Sequence, residues 1–114
     1  MAETLFTKIA DGSVPADFVY RDQEIVAFRD VNPQAPHHIL IVPRRIIPAI
    51  QDLTEADGPL IGRMVLVARK IAADLGFAAD GYRLVFNCGK NGGQEVPHIH
   101  LHLLGGRRMT WPPG

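Results

Sequence analysis

Apolar residues along the chain gather into short runs separated by polar or glycine- and proline-rich breaks, and only one stretch is both long and periodic. Leu5 to Ala10 places Leu5, Phe6 and Ile9 at helical spacing and stops at Gly12, which predicts a short helix. Phe18–Tyr20 and Ile25–Phe28 flank the polar turn Arg21-Asp22-Gln23 and predict a hairpin. Asn32 to Pro36 contains two prolines and reads as a loop. His38 to Val42 is a third strand closed by Pro43, and its nearly continuous apolar character predicts burial on both faces. Leu60, Ile61, Met64, Val65, Ala68, Ile71, Ala72 and Leu75 recur at steps of three and four, which predicts the one long helix. Thr54 and Asp57 are candidate N-caps, Pro59 suits the first turn and Gly76 the position just past the end. Tyr82–Asn87 and Ile99–Leu104 complete five strands around a glycine-rich loop, Cys88 to Gln94. Strands joined mostly by hairpins, with one principal helix, predict an α+β domain with an antiparallel sheet.

Composition narrows the function classes. A chain of 114 residues and 12.5 kDa fits a single domain spanning 1–114, with no repeat or composition shift to divide it. Twelve basic residues balance twelve acidic ones, which argues against nucleic acid as a partner and does little to keep copies apart. The single cysteine, Cys88, excludes an intrachain disulfide and a multi-thiolate zinc site. No apolar run approaches the ~20 residues of a membrane span, and the start of the chain lacks a signal pattern; the expectation is a cytoplasmic protein with no membrane partner.

The five histidines change the picture most, because they fall in two places only: His37-His38, and His98, His100 and His102. On a strand, alternation turns the last three to one face and Ile99, Leu101 and Leu103 to the other, with rings roughly 7 Å apart. A merely solvated strand face carries Thr, Lys or Glu more often than three imidazoles. Zinc is a stronger rival, with His38 as a further ligand, although no carboxylate alternates with the histidines. The alternative without metal or cofactor is nucleophilic catalysis, in which one neutral imidazole attacks and its neighbours orient it and protonate the leaving group. Gly89, Gly92 and Gly93 upstream would be a flexible connector alone; next to the histidines they read as a phosphate cradle of backbone N–H groups. Together these predict phosphoryl or nucleotidyl transfer.

The run from Gly93 to Leu104 carries His-φ-His-φ-His-φ-φ and resembles the signature of the histidine triad (HIT) family. Asp30 to Pro36 ahead of His38–Pro43 resembles that family's upstream block, and Gly105–Gly114 is similar to the tail of its nucleotide-binding branch. The resemblance implies a HIT-like α+β fold whose copies pair into a homodimer with a ten-stranded sheet, residues 105–114 forming a tail toward the partner. It also implies that His100 attacks the α-phosphorus of a purine nucleoside 5′-phosphoramidate. His102 would contact phosphate and leaving group, and His38 and His98 would form a hydrogen-bond chain setting the tautomer of His100. Asp30 would bind the ribose beside Val31; Phe6, Val14 and Phe28 would enclose the base; Asn87, Gly93, Gln94 and Glu95 would serve the phosphate; Trp111 would reach the partner's site.

Plainer roles exist for several of these. Phe28 and Val14 suit a core, Asp30 and Asn87 suit Asx turns, Trp111 sits in a terminal tail, and alternation turns His37 away from His38. The chain departs from the family pattern at Glu95, where many relatives have Ser or Thr, and at Ile46, where a histidine is common. A carboxylate beside a phosphate is electrostatically awkward, so the Glu95 backbone N–H is the expected contact. The expected activity is a metal-free phosphoramidase acting through a nucleotidyl-His100 intermediate. Dinucleoside polyphosphate hydrolysis and a nucleotide-binding interaction role are the alternatives.

Overall fold

The computed structural model describes residues 3–114. Its elements run α1 (Leu5–Ala10), β1 (Phe18–Arg21), β2 (Ile25–Arg29), β3 (His37–Pro43), α2 (Gly58–Asp74), β4 (Tyr82–Phe86) and β5 (Leu101–Gly105), with short 3₁₀ turns at Ile50–Asp52 and Glu55–Asp57 before α2. The five strands form one antiparallel sheet in the order β1-β2-β3-β5-β4. This is the predicted α+β architecture, with β3 central and β4 at an edge.

Each face of the sheet carries its own core. Ile25 and Ala27, Ile39 and Ile41, Leu101 and Leu103 pack against Met64, Val67, Ala68 and Ile71 of α2. The alternate residues, Val26, Phe28, Leu40 and Val42, pack against Phe6 and Ile9 of α1. Alternation therefore explains the continuous apolar run of β3: one half of it meets each helix. The long helix starts where the sequence places it. Gly76 follows it at φ +86°, a left-handed conformation that suits glycine. Thr54 and Asp57 divide their expected work: the Asp57 carboxylate accepts from the Thr54 N–H at 2.8 Å and pairs with Arg45 in the turn leading into α2, leaving the helix N–H groups without a side-chain cap.

The last strand differs from its expected bounds. It begins at Leu101 rather than Ile99, so His98 and His100 precede it and only His102 of the three lies on regular strand. The reason lies in β3. Ile41 pairs with Leu101, and continuing that register would set Ile99 opposite Pro43, which has no N–H to donate. The Ile99 N–H instead donates to the Ile47 carbonyl at 2.7 Å, and the chain bends through residues 96–98. The three histidines are thus placed by a bend feeding a strand, not by strand alternation alone.

Candidate active site

The histidines open on the α1 face of the sheet. The register sets His38 opposite Leu104 and Leu40 opposite His102, which makes His38 and His102 diagonal neighbours. His102 Nδ1 lies 2.9 Å from His38 Nε2, and the rings of His100 and His102 are 5.0 Å apart, closer than even strand spacing would give. His98 is fully buried and His38 and His100 nearly so.

Hydrogen bonds fix the tautomer of each neutral ring. His100 Nδ1 lies 2.8 Å from the His98 carbonyl oxygen; a carbonyl only accepts, so Nδ1 carries the proton and Nε2 keeps a bare lone pair. The Gln34 backbone N–H donates to His38 Nδ1 at 3.0 Å, which puts the His38 proton on Nε2, facing His102 Nδ1. His102 then accepts at Nδ1 and holds its own proton on Nε2. Of the chain expected to set the His100 tautomer, His98 bonds His100 through its main-chain carbonyl, whereas the His38 ring bonds His102. The bend turns the His98 ring away to bond Thr4 Oγ1 and the Pro43 carbonyl, each at 2.7 Å.

Burial lowers the pKa of His38, His98 and His100 below the usual imidazole value; the charge of Asp30 partly offsets this at His38, and the bond to the His98 carbonyl with the charges of Asp30 and Glu95 does so at His100. His102 is pulled furthest, to about 4, by burial first and then by repulsion from His100 and His38. At neutral pH all four rings are uncharged.

A cavity of about 580 Å³ opens over this cluster. His38, His100 and His102 line it together with Phe6, Val14, Phe28, Asp30, Val31, Asn87, Gly93 and Glu95. Its apolar end is walled by Leu5, Phe6, Ile9, Val14, Pro15, Ala16, Phe28 and Leu40, and the Phe6 ring stands edge-on to His100 with centroids 4.8 Å apart. Phe28 and Val14 thus serve core and cavity wall at once. Asp30 sits at the rim with one oxygen accepting from the Asn32 N–H at 2.9 Å, in an Asx turn, and the other 3.5 Å from His38 Nε2. Val31, 98% exposed, lies beside it.

One expected contact falls elsewhere. Gln94 is not on the cavity wall: its side chain bridges the Gly89 N–H and the Pro48 and Val96 carbonyls, and its N–H donates to the Gly89 carbonyl. The glycine loop is accordingly held shut by its own bonds, with Gly93 at φ +76° donating to the Lys90 carbonyl and Asn87 Nδ2 donating to the Gly92 carbonyl. The Gly89, Gly93 and Gln94 N–H groups are spent inside the loop, so the expected cradle is smaller than glycine count suggests. Trp111, expected at the partner's site, is 82% exposed in the single chain and does not line this cavity; the adjoining Thr110 carbonyl accepts from Arg83 on β4. His37 faces the other side of the sheet and stacks on Phe77 at 4.3 Å. Sequence reasoning missed Thr4 and Gln34, the partners of His98 and His38. Thr4 has an N-cap signal three residues before Thr7, but nothing local ties it to residue 98.

Asp30, His38 and His102 each offer one ligand atom, all within 4.8 Å of one another, a donor set of the kind zinc takes. His38 Nε2 and His102 Nδ1 already share a hydrogen bond, which a metal bound through those two atoms would break. A second cavity, of about 280 Å³ beside Arg44 and Arg45, holds none of the histidines. Among the described residues no helix is long and apolar enough to cross a membrane.

The family model described as the HIT domain matches residues 11–109. The chain is 53% identical over 107 residues to the purine nucleoside phosphoramidase of Escherichia coli K12, covering 94% of this chain and 90% of that protein. Its fold superposes on a HIT family hydrolase from Legionella pneumophila with a TM-score of 0.96 at 54% identity, covering 98% of this chain and all of that one. A histidine triad protein from Clostridium difficile gives a TM-score of 0.93 at 39% identity over 96% of this chain and 97% of its own.

Proposed function

The chain belongs to the HIT family, and from that premise we propose that it is a purine nucleoside phosphoramidase, hydrolysing the P–N bond of adenosine 5′-phosphoramidates, aminoacyl conjugates included, with His100 as nucleophile. One observation carries the assignment of the nucleophile: the His98 carbonyl holds the His100 proton on Nδ1, so an uncharged ring on the cavity wall presents a free Nε2 lone pair. The 53% identity to a named phosphoramidase supports the bond class.

Nε2 of His100 attacks the α-phosphorus, the P–N bond breaks, and its electron pair leaves on the amine, which takes a proton. His102 is the neighbour that supplies it. With its pKa near 4 the free ring is uncharged at pH 7, so His102 becomes an effective acid only when the negative phosphate enters and raises that value. Water then attacks phosphorus, the P–Nε2 bond breaks, and the proton released by water returns to the histidine pair. The apolar end of the cavity takes the base, Asp30 and Val31 at the rim take the ribose, and Asn87, Gly93 and the Glu95 N–H flank the phosphate. Gln94 supports the phosphate side by bracing the loop. The second carboxyl oxygen of Asp30 is free of the Asx turn, so ribose binding and the turn coexist.

The acting unit in this reading is a homodimer. Among the described residues the outer edge of β4 is unpaired, and a second β4 added there would extend the five strands to ten, with the tail bearing Trp111 directed toward the partner. The activity test is turnover of adenosine 5′-monophosphoramidate against a diadenosine polyphosphate, for wild type and His100→Ala. Preferred turnover of the phosphoramidate, its loss in His100→Ala, and a nucleotidyl adduct on His100 after rapid quenching are expected. Near-normal turnover by His100→Ala would overturn the mechanism.

A further inference from the structure

Among the bonds around the histidines, one joins residues 94 apart in sequence: Thr4 Oγ1 lies 2.7 Å from His98 Nδ1, both groups buried. Its direction follows from the other side of the ring. His98 Nε2 lies 2.7 Å from the Pro43 carbonyl oxygen, which only accepts, so Nε2 carries the proton and Nδ1 is left with a lone pair. The Thr4 hydroxyl must therefore donate to it. The same oxygen accepts from the Thr7 N–H at 3.2 Å, as the N-cap of α1. The ring of His98 is thus clamped between the start of α1 and the end of β3, and its own main-chain carbonyl is the acceptor that fixes His100.

We propose that Thr4 is a positioning residue for the reaction: its hydroxyl, donated to His98 Nδ1, holds His98 so that its carbonyl keeps His100 in the attacking tautomer and orientation. This rests on His100 being the nucleophile, as read above. Thr4 lies ahead of residues 11–109 matched by the family model, and it touches neither the cavity nor any reacting atom. Its action runs through one ring and one carbonyl. A valine of nearly the same shape would keep the packing but leave the buried Nδ1 lone pair without a donor, freeing the His98 ring to tilt and its carbonyl to move. Because catalysis depends on the angle and protonation of Nε2, such a shift acts on the chemical step rather than on nucleotide affinity.

The capping role and the positioning role are separable. Thr7 completes the same capping box, its Oγ1 accepting from the Thr4 N–H at 2.9 Å, but makes no hydrogen bond to His98. The experiment compares Thr4→Val, Thr4→Ser and Thr7→Ala with wild type, measuring kcat and KM on adenosine 5′-monophosphoramidate and the ring ¹⁵N signals of His98 and His100. Thr4→Val is expected to lower kcat at least about tenfold with KM changed less than about twofold. Thr4→Ser, which keeps the donor, restores most of kcat, and Thr7→Ala stays near wild type. In the spectrum, His98 of wild type and Thr4→Ser carries its proton on Nε2 with a hydrogen-bonded Nδ1, and Thr4→Val loses that signature. Equal losses in Thr7→Ala and Thr4→Val would reduce the effect to helix stability and overturn the proposal, as would an unchanged kcat in Thr4→Val. A wild-type His98 protonated on Nδ1 would overturn it with no variant at all, should Thr4→Val not fold. If wild type turned over no phosphoramidate, the functional reading would fall. The ring signals would still decide the Thr4–His98–His100 connection, because unchanged His100 signals in Thr4→Val refute it.

Discussion

At the scale of single residues, the site works by keeping imidazoles uncharged. In the proposed mechanism a neutral His100 attacks, so turnover is lost as pH falls through its pKa, and burial has moved that pKa below the ordinary histidine value. Because His102 must also take up a proton that its free ring lacks, kcat/KM is expected to fall from about pH 6.5, the unperturbed histidine value, toward pH 8, with the acid limb set by His100 lying below pH 6.5. An acid limb centred above pH 6.5, measured between pH 5 and 8, would contradict the burial argument. The base end of the cavity makes a second prediction. Its walls are Leu5, Phe6, Ile9, Val14, Ala16, Phe28 and Leu40, none with a polar side-chain atom to read the edge of a base. Adenosine and guanosine phosphoramidates should accordingly differ by less than about tenfold in kcat/KM, since strong discrimination needs hydrogen bonds to ring substituents. His100 and His102 were legible because three histidines at alternate positions are rare on a strand. Thr4 was not, since a hydroxyl near the start of a chain has many local uses and the partner that gives it meaning is far along the sequence.

At the scale of elements, α1 is short and yet forms both a cap on the sheet and a wall of the cavity. Ile9 is buried against Val26 and Phe28 and also lines the cavity. Ile9→Ala should cost about 2–4 kcal/mol by urea denaturation and raise KM, whereas a loss confined to stability would separate the two roles of the helix. On the opposite face of the sheet, β5 ends at Gly105, where an added Cβ would lie 2.4 Å from the Phe77 ring. That ring is held by His37 on one side and Tyr82 on another, so it has little room to yield. Gly105→Ala should destabilise the protein by about 1–3 kcal/mol while leaving KM nearly unchanged. The elements themselves were mostly readable: α1, the hairpin, the central strand and α2 fall within a residue or two of their expected places. The start of β5 was not, because it is set by Pro43 on a strand 55 residues away from His98, which has no N–H to continue the ladder.

At the scale of the whole molecule, the four clustered histidines couple the site to stability. His38, His98, His100 and His102 all have lowered pKa values in the folded state, His102 to about 4. Below pH 6.5 the unfolded chain binds protons that the folded one refuses, so stability falls as pH drops from about 6.5 toward 4. Asp22, lowered to about 2, is stabilising above the usual carboxylate pKa and is lost only at more acid pH, so the histidines govern this window. The urea midpoint should decline between pH 7 and 5, and a bound nucleotide phosphate should reduce the decline by favouring protonated His102. Sedimentation should give twice the 12.5 kDa chain mass if β4 pairs with a second copy. By itself, the sequence determined the α+β class, the two-faced central strand, the long helix and the choice of the clustered histidines as candidate site residues, because these follow from local periodicity and from residue types with few other uses. Only the tertiary structure decided which ring serves which. The strand register joins His38 to His102, the bend before β5 hands His100 a carbonyl, and Thr4 meets His98 across the fold. Such hydrogen bonds are properties of distances between remote segments, and no local pattern carries them.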